Sequence, residues 1–259
     1  MAAKAAYRSG AGLVRIAVPL AIWDTVAIKI DECATEGLAQ TRAGTLGAKA
    51  LPQLRKVSDW ADVVVFGPGM SQQKETSETI QKFIVKLDKP LVLDADGLNA
   101  FRGGLIEKLK LPPSATPIRV LTPHPGEMAR LLSVSIPTVQ KDRTGAVAEC
   151  AQRSGCVSVL KGAGTLVCDG KRLYKNTTGN PGMATGGTGD VLSGVIGALI
   201  GQGLSAFDAA CLGVFLHGVA GDLAAARLGV WSMMAGDLLN ELPNAFNSRT
   251  EGRGLRTED

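Results

Sequence analysis

Aromatic side chains are scarce in this chain: Phe, Trp and Tyr together make up 4% of its 259 residues. Binders of nucleic acid need a basic stripe interleaved with aromatics, and here the net charge of +4 is small and spread along the sequence, which argues against that class of partner. Cysteine is also thin. The five, at positions 33, 150, 156, 168 and 211, are odd in number and form no Cys-x-x-Cys pair. Neither a disulfide frame nor a zinc site is therefore expected, and they read as reduced, mostly buried thiols of a cytoplasmic protein. No apolar run approaches the roughly 20 residues of a membrane span, so no membrane is expected as a partner. Repeats and dividing linkers are missing too, and the length suits one large α/β domain. Acid is absent before Asp24 while Lys4, Arg8 and Arg15 are present. That resembles a transit peptide in composition, but Gly10 and Gly12 punctuate it as a helix followed by a strand.

Glycine is what the chain has in abundance. Gly179, Gly182, Gly186, Gly187 and Gly189 crowd into the stretch 176–190, which ends on Asp190 and runs straight into an apolar helical pattern at 191–204. Such a loop lets backbone approach a ligand closely, and a helix starting at its end presents unpaired N–H groups, an anion site. A Walker A loop would have Lys-Ser/Thr where Asp190 stands, and a dinucleotide fingerprint belongs early in a βαβ unit rather than late in the chain. A flexible loop with an Asp N-cap is the plain structural alternative. Asp190 argues against it. A carboxylate beside a phosphate cradle repels the ligand unless it must remove a proton or hold a metal, which points to a base facing a phosphoryl donor.

Along the chain, a helix ending near Gly10 is followed by a strand at 13–18, a mixed segment to Gly44 and a helix at 48–57. A strand at 62–66 stops at Gly67-Pro68-Gly69. A helix at 76–87 precedes a strand at 91–93 that ends in Asp94-Ala95-Asp96-Gly97-Leu98-Asn99. The strand at 119–122 ends in Pro123-His124-Pro125-Gly126-Glu127, with helices at 127–132 and 139–154 after it. The strand at 157–160 ends in Lys161-Gly162-Ala163-Gly164-Thr165, and Asp169-Gly170 signals a two-residue hairpin between 166–168 and 172–174. Helices at 191–204, 206–228 and 233–246 follow, and the polar tail 247–259 is expected to be disordered. Strands alternating with helices, each strand ending in Gly, Asp, His or Lys, describe an open, mostly parallel α/β sheet with its ligand at the carboxyl edge.

Taken together, Gly67–Gly69, Asp94–Asn99, the 122–127 segment, Lys161–Thr165 and the 180–190 segment closely resemble the ADP/ATP-dependent NAD(P)H-hydrate dehydratases of the ribokinase-like superfamily. The resemblance runs from Arg8 to about Glu241. It implies a three-layer ribokinase-like domain over 1–246. It implies repair of NADH or NADPH hydrated at C6, with the terminal phosphate of ADP (or ATP) activating the hydroxyl and then leaving as phosphate. Asp190 resembles the family's base. Gly186, Gly187, Thr188 and Gly189 would form the phosphate hole, and Lys161, Gly162, Ala163, Gly164 and Thr165 with Gly189 would hold the nucleotide. His124, Gly67, Gly69, Asn99 and Asp190 would meet the hydrated dinucleotide, and Glu127 would organise Mg²⁺ through water. The resemblance further implies a homo-oligomer, a tetramer by analogy.

Each role has a structural counterpart. His124 could merely cap a helix, Lys161 could be a solvated surface charge, and Asp94 and Asp96 could only shape a turn. His217 reads as a packed or surface helix residue, and Gly194, Gly197 and Gly201 as points of close helix approach. A small-molecule kinase of the same fold (thiazole-alcohol or pyridoxal type) and a catalytically idle nucleotide binder are the alternative functions. Two departures from the family stand out. Relatives begin with an extra strand before the helix that starts here at Met1, so either the start lies upstream or the substrate pocket is altered. Gly69-Met70-Ser71 stands where relatives have Gly-Leu-Gly, which is expected to push a side chain into the site.

Overall fold

Apolar strand residues in this chain alternate between two separate cores, and that alternation fixes the layers. Leu91, Leu93, Leu121, Leu160 and Leu166 belong to one buried cluster, whereas Val92, Val120, Val157, Val159 and Val167 belong to another. Successive strand residues point to opposite faces, so a sheet feeding two cores must be covered on both sides. The computed structural model, which describes residues 1–111 and 118–250, has this three-layer arrangement.

In chain order the elements are α1 (Ala2–Arg8), β1 (Arg15–Pro19), α2 (Leu20–Lys29), β2 (Ala34–Leu38), α3 (Leu51–Trp60), β3 (Val64–Phe66), α4 (Lys74–Ile84), β4 (Leu91–Leu93) and α5 (Ala95–Asn99). They continue with β5 (Arg119–Leu121), α6 (Pro125–Leu132), α7 (Ile136–Lys141), α8 (Arg143–Ser154), β6 (Val157–Leu160), β7 (Leu166–Cys168) and β8 (Leu173–Lys175). Three long helices end the described chain: α9 (Thr188–Gly201), α10 (Ala206–Leu228) and α11 (Ala235–Thr250). Strands β3 to β8 form one six-stranded sheet in sequential order, parallel from β3 to β6 and antiparallel at β7 and β8. Helices α3 to α8 cover one face; α1, α9, α10 and α11 cover the other. Gly194 is what lets α1 lie on α9, since a Cβ there would sit 2.1 Å from the Ala2 carbonyl oxygen. Gly197 does the same for Val65 of β3, at 2.6 Å, whereas Gly201 has only an ordinary contact with Val63 at 3.7 Å.

Several boundaries differ from the sequence reading for identifiable reasons. The helix expected over 139–154 is two, because Asp142 closes α7 and its carboxylate caps α8, accepting from the Gly145 N–H at 2.8 Å. The β7–β8 turn holds four residues, not two: Cys168 pairs with Leu173, and the Asp169 carboxylate accepts from the Lys171 and Arg172 N–H groups. Helix α11 runs through residues 247–250, expected to be disordered, and the rest of that tail, 251–259, lies outside the described residues. The segment expected to be mixed up to Gly44 holds α2 and β2: α2 has no buried residue and therefore no amphipathic signature, with Leu20, Ile22, Trp23 and Ile28 all exposed, and β2 buries only Leu38. Helix α10, at 23 residues with a mean hydropathy of 1.6 over its most apolar part, is long and apolar enough to cross a bilayer, which the sequence reading did not expect. It packs here against α9 and α11, and 56% of that apolar part is buried inside the protein. All five cysteines are free thiols, and burial pushes Cys150 up to about 12 and Cys156 up to about 11, leaving both unreactive.

Strands β1 and β2 pair in parallel as a sheet of their own. Between β1 and the outer edge of β3 runs a cleft of about 1250 Å³. Its lining includes residues 13–18, residues 60–70 and, from α9, Asp190, Gly197, Ala198 and Gly201.

Candidate active site

Helix α9 begins where the glycine-rich loop ends. Gly187, at φ = 93°, is its N-cap residue, in a conformation that side chains avoid, and the Thr188 hydroxyl donates back to the Met183 and Thr185 carbonyls, each at 2.9 Å. Val191 is the first residue whose N–H reaches a helical partner, the Gly187 carbonyl at 3.1 Å. The amides of Thr188, Gly189 and Asp190 therefore lead the helix with its positive dipole end behind them. Gly186 stands exposed in front, with open space around it. Asp190, in the first turn, is partly buried and lines the cleft. Burial raises its carboxyl pKa, and the neighbouring Asp94 raises it further.

Beside these amides lies a compact charge cluster. The Lys161 ammonium donates to Asp94 Oδ1 at 2.7 Å and sits 3.8 Å from Glu127 Oε2. Asp94, 1% exposed, also accepts from Ser193 Oγ at 2.7 Å and from its own helix at the Ala95 N–H, 2.9 Å. A Cβ on Gly189 would lie 3.2 Å from Lys161 Nζ and 3.8 Å from Asp94 Oδ2, so amide row and cluster are adjacent. Lys161 is thus no solvated surface charge, and Asp94 does more than shape a turn.

His124 and Glu127 form a reciprocal cap on α6. His124 Nδ1 accepts from the Gly126 N–H at 3.0 Å and the Glu127 N–H at 3.4 Å, while Glu127 Oε2 accepts from the His124 N–H at 2.8 Å. The capping role is therefore present. With Nδ1 accepting, the proton belongs on Nε2, which faces Glu127 Oε1 at 3.4 Å, and half of the side chain is exposed. Burial, then Lys161, lowers the His124 pKa; burial raises that of Glu127. Glu127 and Asp94 are oxygen donors of the kind Mg²⁺ takes. Among the described residues no group of three or more His, Cys, Asp or Glu is arranged to cage a metal ion, so the donor set fits an ion held mainly by phosphate oxygens and water.

The remaining residues singled out from sequence divide into two kinds. Gly67, at φ = 126°, allows contact between strand ends, since a Cβ there would lie 1.8 Å from the Asp94 carbonyl oxygen; Gly69 faces open space. Asn99 is 7% exposed with both ends of its amide engaged, donating to Asp96 Oδ1 at 3.2 Å and accepting from Arg130 Nε at 2.8 Å, so it braces α5 against α6. Met70 lines the cleft yet packs on the first core rather than standing free in the site. Gly162 and Gly164 have φ of 127° and 60°, and Thr165 Oγ1 closes their loop on the Gly162 carbonyl at 2.9 Å. Ala163 is exposed at the tip. Arg143, which sequence reasoning missed, anchors that loop from α8 by donating to the Leu160 and Lys161 carbonyls, both at 3.3 Å.

Helix α10 supplies the other missed residues. Asp222 accepts from the Gly179 N–H at 2.8 Å and from Asn180 Nδ2 at 3.0 Å. Thr178 Oγ1 donates to the Phe215 carbonyl at 2.9 Å and Asn176 Nδ2 to the Val214 carbonyl at 3.2 Å. His217, only 8% exposed, reaches the Thr188 carbonyl at 2.9 Å. No local motif announces these contacts, because each joins residues 29 or more positions apart.

A sheet covered on both faces, with a Gly-Gly-Thr-Gly-Asp helix start at its carboxyl edge, defines a ribokinase-like α/β protein. Hydroxyethylthiazole kinase from Pyrococcus horikoshii shares that fold at a TM-score of 0.63 and 18% identity, over 95% of this chain and 96% of that one. An ADP/ATP-dependent NAD(P)H-hydrate dehydratase from Bacillus subtilis, co-crystallised with ATP and Mg²⁺, superposes at 0.77 with 25% identity, over 95% of this chain and 83% of the other. The sequence profile of the NAD(P)H-hydrate dehydratases matches residues 1–244, and the chain belongs to that family. It is 44% identical over 254 residues to the bifunctional NAD(P)H-hydrate repair enzyme of Moorella thermoacetica, covering 97% of this chain and 47% of the relative. It is 39% identical over 194 residues to the ADP-dependent (S)-NAD(P)H-hydrate dehydratase of Neisseria meningitidis, covering 74% and 64%. The chain thus spans about half the length of most of the curated relatives it matches.

Proposed function

We propose that this chain dehydrates the C6 hydrate of NADH or NADPH at the expense of ADP (or ATP), releasing AMP (or ADP) and phosphate. The observation that carries the reading is Asp190: a cleft-lining carboxylate one residue beyond the Thr188 and Gly189 amides and beside the Lys161 cluster. In this reading Asp190 takes the proton of the C6 hydroxyl as its oxygen attacks the terminal phosphorus, and the nucleotide departs one phosphate shorter. The 188–190 amides accept the charge that grows on the phosphoryl oxygens. Phosphate then leaves C6 as the neighbouring carbon loses a proton, restoring the double bond. Lys161, held by Asp94, supplies positive charge beside the transferring group, and the Lys161–Thr165 loop and Gly189 receive the nucleotide. The half-exposed His124 side chain, Gly67, Gly69 and Asn99 meet the hydrated dinucleotide. Mg²⁺, held through water by Glu127, would neutralise phosphate oxygens when bound. ADP is favoured over ATP because the Neisseria relative is named for it. The same reading includes self-association as a tetramer, supported by the exposed Leu20, Ile22, Trp23 and Ile28 of α2, and light scattering on the purified chain tests it.

The test is turnover of enzymatically hydrated NADH with ADP and ATP in parallel, followed by recovery of the dihydronicotinamide absorbance. Phosphorylated product from a panel of small alcohols, without that recovery, would make the chain a kinase instead. Asp190→Asn is expected to keep nucleotide affinity while turnover falls by roughly 10²–10⁴. Because the base must be ionised and its pKa is raised, activity in the native chain should fall away on acidification above the ordinary carboxylate value of 3.8. Near-normal turnover in the Asn variant would remove Asp190 from the mechanism.

A further inference from the structure

Helix α10 sets a buried imidazole directly behind the α9 amide row. His217 is enclosed by protein and its Nε2 lies 2.9 Å from the Thr188 carbonyl oxygen. A carbonyl can only accept, so Nε2 carries the proton and donates. The carbonyl it touches and the Gly189 N–H are two ends of one peptide group. A hydrogen bond to the oxygen of a peptide draws charge from its nitrogen and strengthens the N–H as a donor. Gly189 is also the residue adjacent to Lys161 Nζ and Asp94, where a Cβ would lie 3.2 and 3.8 Å away.

We propose that His217 is a positioning residue for the phosphoryl-transfer step, fixing the Thr188–Gly189 peptide plane and polarising it so that the Gly189 amide grips the transferring phosphate. The inference rests on the dehydratase reading for the identity of the phosphate, though not for the geometry. Burial keeps the ring neutral, lowering its pKa to about 4, so Nδ1 bears no second proton in the neutral range. Further ties bind the same helix to the loop, through Asp222 and the Val214, Phe215 and Gly221 carbonyls, so removing His217 alone leaves the loop attached.

The experiment compares His217→Leu, which keeps the bulk and removes the donor, with His217→Gln, which restores an N–H donor. Hydrate turnover, KM for ADP, thermal melting and the Gly189 amide proton shift are measured in each. The leucine variant is expected to lose about 10-fold or more in kcat, with KM for ADP within about 3-fold of the native value. Glutamine is expected to recover most of the loss. The Gly189 amide proton should move upfield in the leucine variant and return in the glutamine variant. His217→Asn, too short to reach the carbonyl, replaces the leucine variant if that one does not fold. An unchanged Gly189 shift, an unchanged kcat, or a loss of turnover that follows melting in both variants would overturn the proposal. Should the native chain fail to turn over the hydrate, the dehydratase reading falls, and the Gly189 shift still decides the role of His217.

Discussion

Ser71 has a backbone φ of 76°, a left-handed conformation that costs a residue with a Cβ roughly 1–2 kcal/mol. It stays there because its N–H donates to Asp96 Oδ2 at 2.8 Å, tying the loop after β3 to the first turn of α5. Ser71→Gly should therefore stabilise the chain by at most about 0.5 kcal/mol, less than the full relief because glycine gains freedom in the unfolded state and gives up the Ser71 Oγ that accepts from the Gln73 N–H at 3.3 Å. The melting temperature checks it, and a lower value would contradict the account. His217 carries a second expectation. Its pKa falls from 6.5 to about 4 on folding, so the unfolded chain binds more protons between those values and stability declines as pH drops through that window. The loss amounts to about 3 kcal/mol by linkage, and denaturant titrations should show it shrinking in His217→Leu. Asp190 and Lys161 could be picked out from sequence because local motifs mark them. His217, Ser193 and Asp222 could not, since their meaning comes from partners 29, 99 and 43 positions away.

At the scale of elements, α10 serves as a clamp on the glycine-rich loop, and two glycines make the contact possible. A Cβ on Gly218 would lie 2.0 Å from Thr178 Oγ1, and one on Gly221 2.4 Å from Met183 Sδ. Alanine in a helix ordinarily gains about 1 kcal/mol over glycine. At Gly218 the clash is with the loop's own backbone and branched side chain, so overpacking of about 1–3 kcal/mol wins. Gly218→Ala should lower both the melting temperature and turnover, because the displaced loop carries the α9 start with it. Gly236→Ala is the control: it lies in α11 with nothing within 4 Å of its would-be Cβ, and should be neutral or stabilising. Equal effects at the two positions would refute the clamp. The limits of α10 were legible because Ser205 caps it, accepting from the Asp208 N–H at 3.2 Å, and its apolar run continues to Gly229. Its function was not, because packing glycines look the same in sequence as merely tolerated ones.

The molecule as a whole is unevenly consolidated, and the uneven part borders the cleft. Strands β4 to β7 are buried at every position, which is why their apolar runs announced a central sheet. In β1, α2 and β2 the single buried residue is Leu38, and among the described residues the two strands form a sheet with no third member. A two-stranded unit is marginal without other packing. Local opening free energies range from near zero in thinly packed segments to the global value in core strands. Backbone amides of 15–38 should therefore exchange with solvent well before those of 91–93 and 119–121. Since β1 is one wall of the cleft that Asp190 opens on, this exchange should slow when nucleotide and hydrated dinucleotide are bound together, while the core strands change little. Hydrogen-exchange mass spectrometry on the free and liganded chain measures both. Equal protection of the two regions would show that β1 and β2 are held as firmly as the central sheet, and an unchanged rate at 15–18 on ligand binding would place the substrate away from that wall.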